Sequence, residues 1–190
     1  YGLYGNVSKS FLGNKLDFSL GVRTDEDNFS KGSKMADNIS PRISISYSIS
    51  NDRRLKWNSS FGIYYKIPTY TILGFKNITG DFTNRRVKYT KSNHLVTGFD
   101  YSIGNASKIS IEGFIKKYEQ FPISVLDGIS LANKGADFEV LGNEEIISIG
   151  RGKTRGIEFL FQQKLTNNFY GIFSYTIFKS EFTDINGDYL

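Results

Sequence analysis

Residues 148–182 read SIGRGKTRGIEFLFQQKLTNNFYGIFSYTIFKSEF, two runs of two-residue alternation joined at Thr166, Asn167 and Asn168. In the first run Ile157, Phe159, Phe161 and Leu165 fall on one face and Gly156, Glu158, Leu160, Gln162 and Lys164 on the other. In the second, Phe169, Gly171, Phe173, Tyr175 and Ile177 alternate with Tyr170, Ile172, Ser174, Thr176, Phe178 and Ser180. A period of two is the mark of a β-strand between two different surroundings. Its first arm, residues 148–165, would extend roughly 60 Å at ~3.3 Å per residue, whereas strands of soluble domains stop after ~3–10 residues. Something other than a small soluble core sets that length.

The rest of the chain follows the same rule. Residues 3–12 and 16–23 form a strand pair, with Leu16, Phe18, Leu20 and Val22 on one face and Gly13, Asn14 and Lys15 at the turn. Pro41 opens a strand in which Ile43, Ile45, Tyr47 and Ile49 alternate with Arg42, Ser44, Ser46 and Ser48; proline is tolerated at a strand start, where no ladder donor is needed. After a turn at Asn51, Asp52 and Arg53, the return puts Leu55, Trp57, Phe61, Ile63, Tyr65 and Ile67 opposite Lys56, Asn58, Ser60, Gly62, Tyr64 and Lys66. A further pair spans residues 92–104 and 108–125, turning at Asn105, Ala106 and Ser107, its alternation less regular after Phe114.

The connections between these strands differ in a regular way. Short turns at 13–15, 51–53, 105–107 and 166–168 alternate with long connections at 24–40, 69–90 and 126–147, the last with local acidity from Asp137, Glu139, Glu144 and Glu145. If each strand pairs with its sequence neighbour, all short turns lie at one end of the sheet and all long connections at the other. Bacterial outer-membrane barrels have this asymmetry, with short periplasmic turns and long extracellular loops. Alternating apolar and polar faces suit lipid outside and a polar lumen inside, and Tyr47, Trp57, Phe99, Tyr101 and Phe169 stand where an interfacial aromatic girdle is expected. No stretch reaches the ~18 consecutive apolar residues of a transmembrane helix. The expected fold is therefore all-β, an antiparallel up-and-down transmembrane β-barrel, represented by about eight strands.

Two segments carry a family resemblance. SPRISISYSISNDRRLKWNSSFGIYYKIPTY, residues 40–70, resembles the Pro-Arg strand and the following Gly-x-Tyr-Tyr-x-x-Pro strand of TonB-dependent outer-membrane receptors. GRGKTRGIEFLFQQKLTNNFYGIFSYTIFKSEF is similar to a hairpin late in the same barrels, and His94 to Tyr101 resembles the strand between. The resemblance implies a larger, 22-stranded barrel around an N-terminal plug, in the outer membrane of a Gram-negative bacterium, importing a scarce ligand with energy relayed by TonB. On this reading residues 1–190 are one internal section of the barrel wall, without the plug and without the N-terminal segment that contacts TonB, and the ligand is an iron chelate, cobalamin or an oligosaccharide. Two other readings stay open: a self-contained eight-stranded outer-membrane barrel, which requires the first and last strands to pair, and a soluble glycan-binding β-domain, which requires a polar outer surface.

No enzyme is indicated. Gly152-Lys153-Thr154 has the end of a phosphate-binding loop, but Ile147 stands where that pattern needs glycine, and a strand follows where it needs a helix. His94 is the single histidine, with no nucleophile or carboxylate placed beside it by spacing, and is expected to face the lumen. Asp25, Glu26 and Asp27 lack the alternating spacing of a calcium loop, so no metal or cofactor is expected. The charge of +5 is spread along the chain, giving no basic cluster for nucleic acid. For ligand contact the candidates lie in the second long connection: Tyr70, Phe75, Phe82 and Tyr89 as stacking surfaces, with Lys76, Arg85 and Arg86 supplying positive charge.

Overall fold

The structure, a computed structural model, describes residues 1–134, 142–166 and 168–190. Asp137, Glu139 and Asn167 of the sequence reading lie outside them. Eight antiparallel strands form one sheet, each paired with its sequence neighbours: β1 (Gly2–Phe11), β2 (Leu16–Asp25), β3 (Ser40–Ser48), β4 (Leu55–Lys66), β5 (Thr90–Ile103), β6 (Ser107–Ser124), β7 (Ile146–Thr166) and β8 (Phe169–Phe182). Strands begin and end within two or three residues of the positions expected from alternation. β1 and β8 are the two edges of the sheet and do not pair with each other, so the sheet is not a closed eight-stranded barrel.

Register assigns every side chain to a face. One row runs Leu16, Tyr47, Trp57, Phe99, Ile111, Phe159 and Tyr175 across seven strands. A neighbouring row of the same face carries Leu20, Ile43, Phe61, Leu95 and Ile115. This apolar face is open: Phe99 is 52% exposed, Ile111 51% and Ile177 63%. An apolar surface this broad is unsupportable in water and costs nothing against acyl chains. Even the indole N–H of Trp57 is satisfied locally, donating to Thr97 Oγ1 at 3.0 Å, as a donor in lipid must be.

The opposite face is polar and internally bonded. Ser10 donates to Asp17 at 2.6 Å, Asn58 to Asp100 at 2.9 Å and Ser110 to Asp100 at 2.6 Å, with Lys108 paired to the same carboxylate at 2.8 Å. These are the lumen-facing positions. The soluble reading required polarity outside instead, and the faces are the other way round.

The two faces keep alternating past Phe114 as far as Tyr118, and the pattern then breaks for a definite reason. A bulge lies between Tyr118 and Phe121 in the β6–β7 ladder, with Gln120 at φ 57°. The extra residue turns Phe121 onto the same face as Tyr118, the purpose that bulges commonly serve.

The apolar core sits outside the sheet. The long connections emerge at one end, where Ile72, Leu73, Val87 and Leu131 pack with Ile146 at the start of β7, and Phe29 and Ile67 lie against them. Within these connections the chain makes a short helix, α1 (Tyr70–Leu73), and two 3-10 turns, Met35–Asn38 and Asn84–Arg86, which alternation did not reveal.

Candidate functional site

The long connections form one cap because buried polar groups tie them. Asn84, 1% exposed, donates its side-chain amide to the carbonyls of Ile72 (2.8 Å) and Glu144 (2.7 Å) and accepts from the Ile146 amide at 3.0 Å. The connection before β5 is thereby joined to the one before β7. Tyr89 joins it to the one after β2: its amide donates to Ser33 Oγ at 3.1 Å and its hydroxyl to Asp27 at 2.8 Å. Burial alone would raise the Asp27 carboxyl. The hydroxyl and amide of Ser30, the Tyr89 hydroxyl and the Phe29 amide outweigh it and hold the pKa down to about 2. The Tyr89 phenol moves the other way, raised by burial and by its bond to the Asp27 carboxylate. Gly32 allows a close approach of two connections, since a Cβ there would lie 2.3 Å from the Val87 carbonyl oxygen.

The sequence candidates divide within this cap. Lys76 and Phe82 are bridge partners, with the ammonium 4.6 Å from the ring centre. Phe82 meets Phe29 edge-on at 5.2 Å, and the Arg85 guanidinium lies 4.7 Å over the Phe29 ring. Lys76, Phe82 and Arg85 thus gather around Phe29, which the sequence did not single out. Tyr70 and Arg86 are exposed in the same connection, and Phe75 is half-buried. Tyr89 is 2% exposed, a structural tie with no stacking surface to offer.

Asp25 is paired with Arg23 at 2.6 Å, the Glu26 carboxylate accepts from the Met35 amide at 3.3 Å, and Asp27 is occupied as above. These three carboxylates are anchors of the first long connection.

Beneath the cap, on the lumen face, is a cavity of about 480 Å³ walled by Tyr64, His94, Tyr118 and Phe121 and roofed by Pro68 and Leu131. Register places Arg42, Gly62, His94 and Lys116 side by side in one row across β3 to β6. The Tyr64 ring lies over Gly62, where a Cβ would come within 2.7 Å of it. The ring stacks 4.5 Å from His94 and has the Arg42 guanidinium 4.5 Å over it. His94 Nε2 bonds Ser92 Oγ at 2.6 Å. On the other wall the bulge delivers Phe121 to Phe182 (4.6 Å) and to Tyr118 (6.1 Å). The result is an aromatic cleft with an imidazole, a guanidinium and an ammonium along one side. His94 was expected in the lumen; its ring partner Tyr64 and the Phe121–Phe182 pair on the other wall were not identifiable, because the bulge and the space over Gly62 are properties of the folded sheet.

Comparison with known proteins bears on what such a wall belongs to. A family model described as TonB dependent receptor-like, beta-barrel matches residues 1–190. Among solved structures, the chain is similar to the alcaligin outer-membrane receptor FauA from Bordetella pertussis, with TM-score 0.59 and 15% identity over 100% of this chain and 31% of that one. It is similar to the outer-membrane transporter YddB from Escherichia coli, with TM-score 0.63 and 15% identity over 95% of this chain and 24% of that one. It is also similar to the copper transporter OprC, with TM-score 0.59 and 14% identity over 96% of this chain and 29% of that one. The chain therefore spans less than a third of each of those proteins. No curated protein sequence matches it.

Proposed function

The chain belongs to the TonB-dependent receptor β-barrel family, whose place is the Gram-negative outer membrane, and from that premise we propose that it forms part of the wall of an import receptor. The ligand is a small molecule, an iron chelate, cobalamin or an oligosaccharide, and the work of import is driven through TonB by a segment outside residues 1–190. The chain's own contribution is to recognise and guide, with no catalysis. The observation that supports this reading is the cavity under the cap, where Tyr64, Tyr118 and Phe121 offer stacking surfaces beside Arg42, His94 and Lys116. Among the described residues lining the cavity there is no carboxylate, and the positive charge beside it favours an anionic chelate over a neutral sugar. At the rim, Lys76, Phe82 and Arg85 make the first contact, with Tyr70, Phe75 and Arg86 around them and Tyr89 holding the loop in place.

The test is ligand uptake by cells carrying the intact receptor, with and without dissipation of the proton gradient. Uptake should stop on dissipation while surface binding persists, and Tyr64→Ala should weaken that binding ~10-fold or more, the loss of one good stacking contact. Uptake that is indifferent to the gradient would sink the proposal.

A further inference from the structure

The Tyr64 ring separates two cavities of the lumen face. One is the roofed cavity described above, with His94 on its wall. The other, about 440 Å³, lies toward β1 and is lined by Arg42, Tyr64, Asn6, Ser44 and Ser60. The ring fills the place that a side chain at Gly62 would take, so it stands in the row between Arg42 and His94, 4.5 Å from each. Among the described residues its hydroxyl makes no hydrogen bond. Stacking alone holds this partition, and stacking on a guanidinium in an open lumen is weak enough to be exchanged for contacts with a ligand.

The second cavity is cationic, and its charge is unanswered. Arg23, at its edge, is taken by Asp25 at 2.6 Å. Among the described residues no carboxylate lies within ion-pair distance of Arg42, and none lines the cavity. Ser44 and Ser60 stand side by side one row below Arg42, and their hydroxyls are without partners among the same residues. One row further toward the short turns the sign reverses. Asp17 and Glu112 line a third cavity of about 470 Å³, which shares Ser19, Ser44 and Ser60 with the second.

We propose that the second cavity is a holding site for an oxyanion, entered from the roofed cavity when Tyr64 swings aside. Arg42 grips the anion through its planar fork, and the hydroxyls of Ser44 and Ser60 donate beside it. The same guanidinium packs on the Tyr64 ring, so an anion that engages Arg42 also loosens the partition. Descent beyond the site is opposed by Asp17 and Glu112, whose charge has the sign of the ligand's own. The anion therefore halts beside Arg42. Its identity as the oxyanion group of an anionic chelate rests on the import reading; the site and its partition rest on Tyr64 and Arg42.

The experiment is anomalous diffraction from crystals of the intact receptor equilibrated with tungstate, an oxyanion heavy enough to be located. A peak should lie in the second cavity within hydrogen-bond distance of Arg42. Arg42→Gln should weaken tungstate there at least ~10-fold, the loss of a charge-assisted contact, read by titrating peak occupancy. Arg42→Lys keeps the charge and should lose less, which separates loss of the site from a folding defect. Tyr64→Ala should let the density spread over Gly62 into the roofed cavity, whereas Tyr64→Phe should leave it confined. No peak beside Arg42, unchanged occupancy in Arg42→Gln, or confined density in Tyr64→Ala overturns the proposal. So do peaks of equal strength at Lys15 and Arg53 of the short turns, which would mark an adventitious ion only. Gradient-independent uptake with the Arg42 peak intact removes the import reading and leaves the anion site standing; gradient-driven uptake without the peak does the reverse.

Discussion

The hydroxyl of Tyr89 donates to the carboxylate of Asp27 at 2.8 Å, joining two connections that are 62 residues apart in sequence. Because the folded Asp27 carboxyl titrates at about 2, below its ordinary value of about 3.9, its bonds from Ser30, Tyr89 and Phe29 together contribute stability above pH ~4 that is lost as pH falls toward 2. The raised Tyr89 pKa acts at the other limit, contributing below pH ~10 and fading as pH rises beyond it. Amide exchange in residues 26–39 should therefore accelerate in acid, and Asp27→Asn should flatten that acid limb. An unchanged acid limb in the variant would show that other carboxylates carry it.

Asn84→Ala should loosen the cap while leaving the sheet intact. It strands two carbonyls and one amide away from water, a cost on the order of 3 kcal/mol. Hydrogen exchange of the Ile146 amide, the group that loses its acceptor, should quicken by roughly 100-fold. Exchange in β5 should not change.

Gly62→Val should act through Tyr64. The new side chain occupies the space now taken by the ring and moves it from Arg42 and His94. Ligand affinity should fall as far as in Tyr64→Ala, and combining the two substitutions should add little more. Full additivity in binding titrations would mean that Gly62 matters for some other reason.

The two faces should answer oppositely to charge. Ile111→Arg places a guanidinium among acyl chains and should cost about 2–4 kcal/mol in folding into lipid vesicles. Ser60→Arg, on the lumen face beside Ser44, should cost less than ~1 kcal/mol. Denaturant titrations of the intact receptor in vesicles measure both; similar losses would contradict the assignment of faces.

Gln120 sits at φ 57°, a conformation that disfavours side chains. Gln120→Gly should be neutral or stabilising by up to about 1 kcal/mol, and Gln120→Val should destabilise and disperse the Tyr118, Phe121 and Phe182 cluster. Equal stability of the two variants in the same titrations would remove the bulge from the account.

What the sequence revealed and what it hid follow the range of the interactions. Alternation from Ile43 to Ile67 is local, since each residue declares its face by its neighbour two positions away, so strands, faces and the sorting of short and long connections were all legible. The cap was not, because Asn84 reads as an ordinary turn residue until Ile72, Glu144 and Ile146 arrive from elsewhere in the chain. Tyr89 illustrates the cost: an aromatic beside two arginines suggests ligand contact, and only the folded partner Asp27 reveals it as an internal tie. Gathered around Phe29, Lys76, Phe82 and Arg85 lay within reach of composition; the pocket beneath them depended on a bulge and a bare glycine.

The tie made by Asn84 also works as a record of assembly. Its partners come from either side of the β5–β6 hairpin, and strands that slipped by two residues would displace Asn84 from Glu144 and Ile146 by about 7 Å, too far for the two bonds that cross between the connections. A cap that closes certifies that the wall behind it was built in register, so an antibody specific for the closed cap would count correctly assembled receptors on living cells.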